Sequence, residues 1–352
     1  MKIIKTGIVG FGLSGKTFHG SLLRANTSFE ITKVFSSRIQ EINEHLPRAK
    51  AVQTVDEVFN DQEIELVIIT GPNNTHYEQT KQALLKGKHV VCEKPFVTKV
   101  AEGEELIQLA QEKNLILTVF QNRRWDSDFL TVSELIKSNR FGKIKQFESH
   151  FDRWRPHTRV GKWKELPGEG GGTFYDLGAH LIDQVLCLFG TPDSVFADLG
   201  QQKEVKGVDD YFHILMKYGE MRVILHSSSY VLETPRFQIY GDRGSFVKYG
   251  FDVQENSLRA GHDPNEMSFG QEDTELRGIF KDFEHSTSET IETQRGHYVS
   301  FYNNLYQAIV ERDSRKIPVT PESSLEVIKM IQTLILSSKE KRWCDFIKSE
   351  II

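Results

Sequence analysis

The sequence predicts an α/β protein: an N-terminal doubly wound parallel sheet, then an α+β domain with an open, mainly antiparallel sheet. Three observations predict it. Up to about residue 120, short β-branched runs alternate with amphipathic stretches, as strands and their covering helices do in parallel sheets. A glycine-rich turn, Gly10-Phe11-Gly12-Leu13-Ser14-Gly15, closes the first run. Beyond Trp125 the texture changes to alternating segments separated by turn signals, the pattern of antiparallel strands.

In chain order, the first domain (residues 1–121) has five expected strands: Ile3 to Val9, Glu30 to Phe35, Glu65 to Thr70, His89 to Cys92 and Leu115 to Phe120. Helical periodicity fills His76 to Lys86 and Ala101 to Lys113. The second domain (residues 122–352) opens with a helix-like segment to Asn139. Strands then read at Lys143 to Phe151, Tyr211 to Tyr218 and Met221 to Ser228, with others in the stretch Ser194 to Tyr249. Residues 262–295 are polar and weakly periodic, which reads as a long hairpin or surface excursion. Helices return at Tyr298 to Val310 and, after Pro318 and Pro321, at Leu325 to Ser337.

At 352 residues the chain exceeds what one core usually supports, so two domains are expected. A net charge of -5 argues against nucleic acid and membrane surfaces as partners, because such binding needs a basic face. Cys92, Cys187 and Cys344 lack CxxC spacing and sit among apolar residues, which suits small buried thiols in a reducing, cytoplasmic compartment. Met1 runs directly into a strand, and no apolar run reaches the roughly 18 residues of a membrane helix. The histidines, among them His45, His76, His89 and His213, are scattered without ligand spacing, so no metal is expected.

In a doubly wound sheet the ligand lies beyond the carboxyl ends of the strands. There, Gly10 permits the tight turn, Gly12 lets backbone approach a pyrophosphate, and Gly15 allows close helix packing. Phe11, Leu13 and Ser14 complete this cofactor-binding turn. After the second strand, the acid that would accept from an NAD ribose is replaced by Ser36-Ser37-Arg38, two hydroxyls and a guanidinium suited to a 2′-phosphate. NADP is therefore expected ahead of NAD. The next two strands end in Thr70-Gly-Pro72-Asn73-Asn-Thr75-His76 and Cys92-Glu93-Lys94-Pro95. Asn73 or Thr75 could cap a helix; Thr70, Pro72, Asn73, His76, Glu93 and Asn122 are also placed along the cofactor. Lys94 follows an apolar strand, where a partly desolvated ammonium can polarise a substrate hydroxyl.

The second domain contributes Gly168-Glu-Gly-Gly-Gly172 and then a helix on which Asp176, His180, Asp183 and Gln184 form a polar stripe, read as neither lipid-facing nor core. A histidine oriented by a carboxylate is a suitable acceptor for a hydroxyl proton. The basic run Arg153 to Lys164 precedes it and is read as a substrate mouth, with Trp163 covering the nicotinamide. Lys94, Asn122, Asp176 and His180 are the expected substrate contacts. The alternatives are a non-catalytic NADP-binding sensor, and an enzyme acting on another sugar, a deoxysugar or an imine.

Taken together, Gly10-x-Gly12-x-x-Gly15, Glu93-Lys94-Pro95 and Asp176-x-x-x-His180 resemble the glucose-fructose oxidoreductase, inositol dehydrogenase and MocA family. Gly12-Leu-Ser-Gly-Lys-Thr-Phe-His19, Gln121-Asn-Arg-Arg-Trp-Asp126 and Phe147-Glu-Ser-His-Phe-Asp-Arg153 are similar to a bacterial subgroup of it that includes NADP-dependent inositol dehydrogenases. The resemblance implies a Rossmann first domain, Lys94, Asp176 and His180 as the catalytic set, and a cis Lys94-Pro95 bond. It also implies a cyclic polyol or sugar substrate oxidised by hydride transfer, and a homodimer or homotetramer formed through the open C-terminal sheet.

Overall fold

The computed structural model describes residues 2–158, 170–204 and 207–346. Six strands form the first sheet: β1 (Ile4–Val9), β2 (Phe29–Phe35), β3 (Lys50–Val52), β4 (Leu66–Ile69), β5 (His89–Cys92) and β6 (Leu117–Val119). Their order is β3-β2-β1-β4-β5-β6 and every pairing is parallel. Helices cover such a sheet on both sides, so β4 is apolar along its whole length and buried throughout. The sixth strand, β3, escapes the sequence pattern because it has three residues and buries only Val52. Strand order reverses beside β1, so the loops after β1 and β4 part and leave a crevice at the Gly10 turn.

The second sheet has nine strands: β7 (Ile144–His150), β8 (Ser194–Gly200), β9 (Tyr211–Tyr218), β10 (Met221–Ser228), β11 (Phe237–Gly241), β12 (Gly244–Lys248), β13 (Ile279–Asp282), β14 (Thr287–Thr290) and β15 (Cys344–Asp345). The order is β14-β13-β12-β11-β7-β10-β9-β8-β15. It is mainly antiparallel, as expected, but β7 and β10, both in segments with an antiparallel look in the sequence, run parallel to each other. A parallel pair needs a long crossover, and the helix Ala179–Phe189 with β8 and β9 supplies it. The excursion at residues 262–295 contains the β13–β14 hairpin.

Alternation sorts this sheet into two faces. Phe147, Phe212, Ile214, Met216, Val223 and Leu225 are fully buried, whereas Glu148, His150, Tyr211, His213, Leu215, Ile224 and His226 are half-buried on the other face. Register brings His226 opposite both His150 and His213, so three histidines far apart in sequence form one row. The sequence places His213 among histidines scattered without ligand spacing, and spacing along the chain does not record the strand register that forms this row.

The chain does not divide at a single point. One compact unit comprises residues 1–126, 253–270 and 296–326, and the other comprises 127–252, 271–295 and 327–352. The helix Val299–Glu311 explains the return to the first unit: its Phe301 meets Phe120 edge-on at 4.9 Å, and its Tyr302 meets Phe29 at 5.6 Å. Cys92 and Cys344 are buried, but Cys187 is exposed, contrary to the reading of all three as buried. An apolar sequence neighbourhood cannot tell which way a helix turns its thiol.

Candidate active site

The Gly10 turn is built around Thr70. Gly10 has φ +100°, and a Cβ there would meet Thr70 Oγ1 at 2.7 Å; one on Gly15 would meet the Gly10 carbonyl oxygen at 2.4 Å. Thr70 Oγ1 bonds the carbonyls of Val9 and Gly10 at 3.1 and 2.9 Å, so this residue seals the turn itself. A Cβ on Gly12 would meet nothing within 4 Å. The protein does not need glycine there for its own packing, which fits the turn to a dinucleotide whose pyrophosphate approaches the backbone. No side chain caps the helix that begins at Ser14 and continues through Arg24, leaving its first N–H groups for an anion. Phe11 is buried and packs edge-on against His45, so its backbone alone can face a ligand; Leu13 is exposed.

Glu93, at the end of β5, joins this turn to Lys94. Its Oε1 accepts from the Ser14 hydroxyl and faces His19 Nε2 at 3.0 Å, while its Oε2 accepts from the Lys94 backbone N–H at 2.9 Å. His19 Nδ1 in turn meets the buried Tyr302 hydroxyl at 2.5 Å. Burial opposes ionisation of Glu93, yet the His19 and Ser14 contacts and the neighbouring Lys94 charge hold its pKa below the usual range. His19 was not singled out from sequence, although its i+4 spacing from Gly15 places it on the helix face turned to the sheet. Lys94 is half-buried, and the Lys94-Pro95 bond is cis as the resemblance implies.

His76 is fully buried between two carbonyls, with Nδ1 2.8 Å from the Pro95 oxygen and Nε2 3.0 Å from that of Gly71. Burial pushes its pKa down against the opposing pull of these two carbonyls, and the ring braces the β4 and β5 loops. Pro72 and Asn73 lie in the turn before it; Asn73 is buried, and Thr75 makes no side-chain cap to the helix His76–Leu85. Asn122 is buried at the start of the turn Asn122–Trp125, beside Arg123, which pairs with Asp126 and Glu255.

At the end of β2, Ser36 Oγ accepts from the Arg38 backbone N–H. The exposed Arg38 guanidinium lies 3.4 Å from Glu41, whose other oxygen takes Lys16 Nζ at 3.0 Å. Two cations thus converge from the β2 end and the glycine-turn helix. Lys16 was missed, although it follows Gly15 directly. Ser37, intermediate between them in sequence from Ser36 to Arg38, is exposed.

In the second unit, the helical run Phe174–Gly178 opens with wide π-type turns and continues as Ala179–Phe189. Such turns recur at functional sites. Asp176 is half-buried and lines a pocket with Arg153, Arg155, Lys203, Asp209 and Ser227; His180, one turn on, is buried. The stripe does not stay outside the core: Asp183 and Gln184 are both buried. For Gln184 the cause is Arg236, whose fully buried guanidinium bonds Gln184 Oε1 at 2.9 Å, Asp128 Oδ2 at 3.0 Å and Ser149 Oγ at 2.5 Å. Nothing in the pattern around Arg236 announced this. Trp163 and the remainder of the basic run from Arg159 to Lys164 lie outside the described residues.

A dinucleotide turn at the switch point of a parallel sheet, tied to a lysine on the next strand end but one and followed by a mixed-sheet domain, defines a nicotinamide-dependent oxidoreductase. Residues 4–121 match the oxidoreductase family's NAD-binding Rossmann fold and residues 133–346 its C-terminal alpha/beta domain; the chain belongs to the GFO/IDH/MocA oxidoreductase family. Over 342 residues it is 42% identical to the scyllo-inositol 2-dehydrogenase (NADP(+)) IolW of Bacillus subtilis, covering 96% of this chain and 95% of that protein. It is 37% identical to the uncharacterized oxidoreductase YdgJ of Escherichia coli, covering 96% and 97%. Among solved structures, the oxidoreductase yvaA of Bacillus subtilis superposes with a TM-score of 0.94 at 41% identity, covering 98% of this chain and 99% of that one.

Proposed function

We propose that the protein is an NADP-dependent dehydrogenase that interconverts a secondary alcohol and a ketone on a cyclic polyol, with inositols as its substrate class. The observation that carries the reading is the Glu93 carboxylate: one oxygen accepts from Ser14 in the dinucleotide turn, and the other accepts from the Lys94 backbone. The candidate catalytic lysine is thereby fixed to the turn that would hold the cofactor. The name of the 42% identical relative supports both the dinucleotide and the polyol.

When bound, the dinucleotide supplies the hydride acceptor. The residues do the rest. Lys94 would hold and polarise the substrate oxygen, His180 would take the hydroxyl proton, and Asp176 would orient the imidazole and stabilise its charged form. Asn122 adds a hydrogen bond to substrate or nicotinamide. Arg38 and Lys16 would hold the 2′-phosphate. The half-buried sheet face bearing Tyr211, His213, Leu215 and Ile224 supports a homodimer or homotetramer. Among the described residues no helix is long and apolar enough to cross a membrane. The three cysteines without CxxC spacing support a reducing, cytoplasmic compartment.

The test is turnover of scyllo- and myo-inositol, aldoses and their phosphates with NADP+ and with NAD+, read as NADPH or NADH absorbance. Fastest turnover of a neutral inositol with NADP+ is expected. Binding of NADPH without turnover of any polyol would favour the sensor, and strong preference for the phosphates would point to the Arg153 and Arg155 pocket as an anion site.

A further inference from the structure

The row of histidines on the half-buried face of the second sheet ends in a cluster that hydride transfer does not use. His150 closes β7, His226 stands opposite it on β10, and Asp152 follows two residues after His150. Asp152 Oδ1 lies 2.9 Å from His226 Nδ1, and its Oδ2 lies 3.5 Å from His150 Nδ1. One ligand atom from each of the three falls within 4.8 Å of the others. The carboxylate is 2% exposed, and the two rings are 13% and 16% exposed, so the cluster is sheltered yet reachable.

The geometry fits coordination. Zinc binds imidazole nitrogen and carboxylate oxygen at about 2.0–2.1 Å, which makes the edge of a tetrahedron about 3.3 Å, close to the 3.5 Å between His150 Nδ1 and Asp152 Oδ2; His226 Nδ1 meets the other carboxylate oxygen, Oδ1, at 2.9 Å. The surroundings are those of a ligand set. His150 Nε2 is 3.0 Å from Glu148 Oε2, so a proton on that nitrogen leaves Nδ1 bare toward the cluster. Glu148 is itself held by Gln238 at 3.1 Å. Asp152 is aimed by the Ser228 backbone N–H at 2.7 Å and the Thr234 hydroxyl at 2.8 Å. His213 stands 5.6 Å from His226, ring centroid to ring centroid, on the open side. Two imidazoles with one carboxylate favour a borderline cation over calcium or magnesium, which take oxygen ligands.

We propose that His150, Asp152 and His226 bind one divalent transition ion of the zinc class, oriented by Glu148, bracing the parallel junction of β7 and β10. The remaining position is open to water or to His213. Coordination forms three protein–metal bonds and displaces water from the ion, with both Nδ1 atoms deprotonated.

The full-length protein, stripped with a chelator and dialysed, is titrated with zinc and with cobalt(II). Expected are one tight equivalent of zinc per chain, visible ligand-field bands with cobalt(II), and a higher Tm with zinc. His150→Gln/His226→Gln abolishes the tight equivalent, and Glu148→Gln weakens it by about 10–100-fold. His285→Gln, which alters the exposed Asp282, Glu284 and His285 group, leaves it unchanged. Far-UV circular dichroism without metal checks that each variant folds; should the double variant not fold, the Glu148→Gln titration and the cobalt spectrum decide. Absence of a stoichiometric tight site, uptake undiminished by these substitutions, or loss with His285→Gln overturns the proposal.

Discussion

Two glycine-rich turns open helices in this protein, and they treat the helix start in opposite ways. At the first, no side chain caps the helix beginning at Ser14, and a side chain on Gly12 would stand in open space. At the second, Gly172 has φ +91°, and a Cβ there would come within 2.2 Å of Asp209; that carboxylate accepts from the Phe174 N–H at 2.5 Å. One junction leaves its N–H groups for an anion from outside, and the other fills the place with its own acid. The same local sequence signal therefore marks a cofactor cradle in one unit and a self-capped helix in the other. What differs is whether a distant acid reaches the glycine.

The largest expected effects concern the chemistry attached to each junction. His180→Ala should lose about a hundred to ten thousand-fold in single-turnover hydride transfer while NADPH affinity, followed by fluorescence, stays near wild type. Lys94→Met should lose at least as much; near-normal transfer in either folded variant would mean that the base or the polarising group is another residue. Next comes the core beneath the second junction. Arg236→Met leaves Asp128, 1% exposed, without its guanidinium, and should cost about 3–5 kcal/mol in urea unfolding. A loss below 1 kcal/mol, on the order of a surface pair, would show that Asp128 finds another partner.

The glycines themselves separate fold from ligand. Gly15→Ala should lower Tm even without cofactor, because its Cβ meets backbone at 2.4 Å, whereas Gly12→Ala should keep Tm and lose dinucleotide affinity. Equal behaviour of the two would contradict the cradle. Arg38→Ala should weaken NADP by about 1.5–3 kcal/mol and spare NAD, measured by calorimetric titration of both; an equal loss for both removes the case for a 2′-phosphate site.

The effect confined to the narrowest conditions belongs to Asp209. Burial raises its pKa from 3.8 to about 6, so folding takes up a proton between those values. Stability should therefore fall as pH rises through that window and level off above it, by up to about 3 kcal/mol. Asp209→Asn, which keeps an oxygen for the Phe174 N–H, should flatten this part of the stability profile. An unchanged slope would assign it to other groups.

Much of the first unit was legible because its signals are local. Continuous apolar runs mark strands buried on both faces, and β5 was read to the residue. The Gly10 turn carries its role in its spacing, and Lys94 in its position after β5. The contacts that give these residues their surroundings join positions far apart: Ser14 with Glu93, His19 with Tyr302, Lys16 with Glu41.

By itself the sequence determined the α/β class, the dinucleotide turn, the cation in place of an acid after β2, and the helix bearing Asp176 and His180. Periodicity and turn chemistry act over a few residues, so one chain displays them. Tertiary structure alone decided that Arg236 draws Gln184 into the core, that Asp209 fills the second helix start, and that His150, His226 and His213 share a row. Each of these depends on strand register or on a charged side chain meeting partners far along the chain, 52 residues away for Arg236 with Gln184 and 35 for Asp209 with the Phe174 N–H. Neither leaves a periodic trace, because a buried ion is stabilised by whichever acceptors the fold delivers to it.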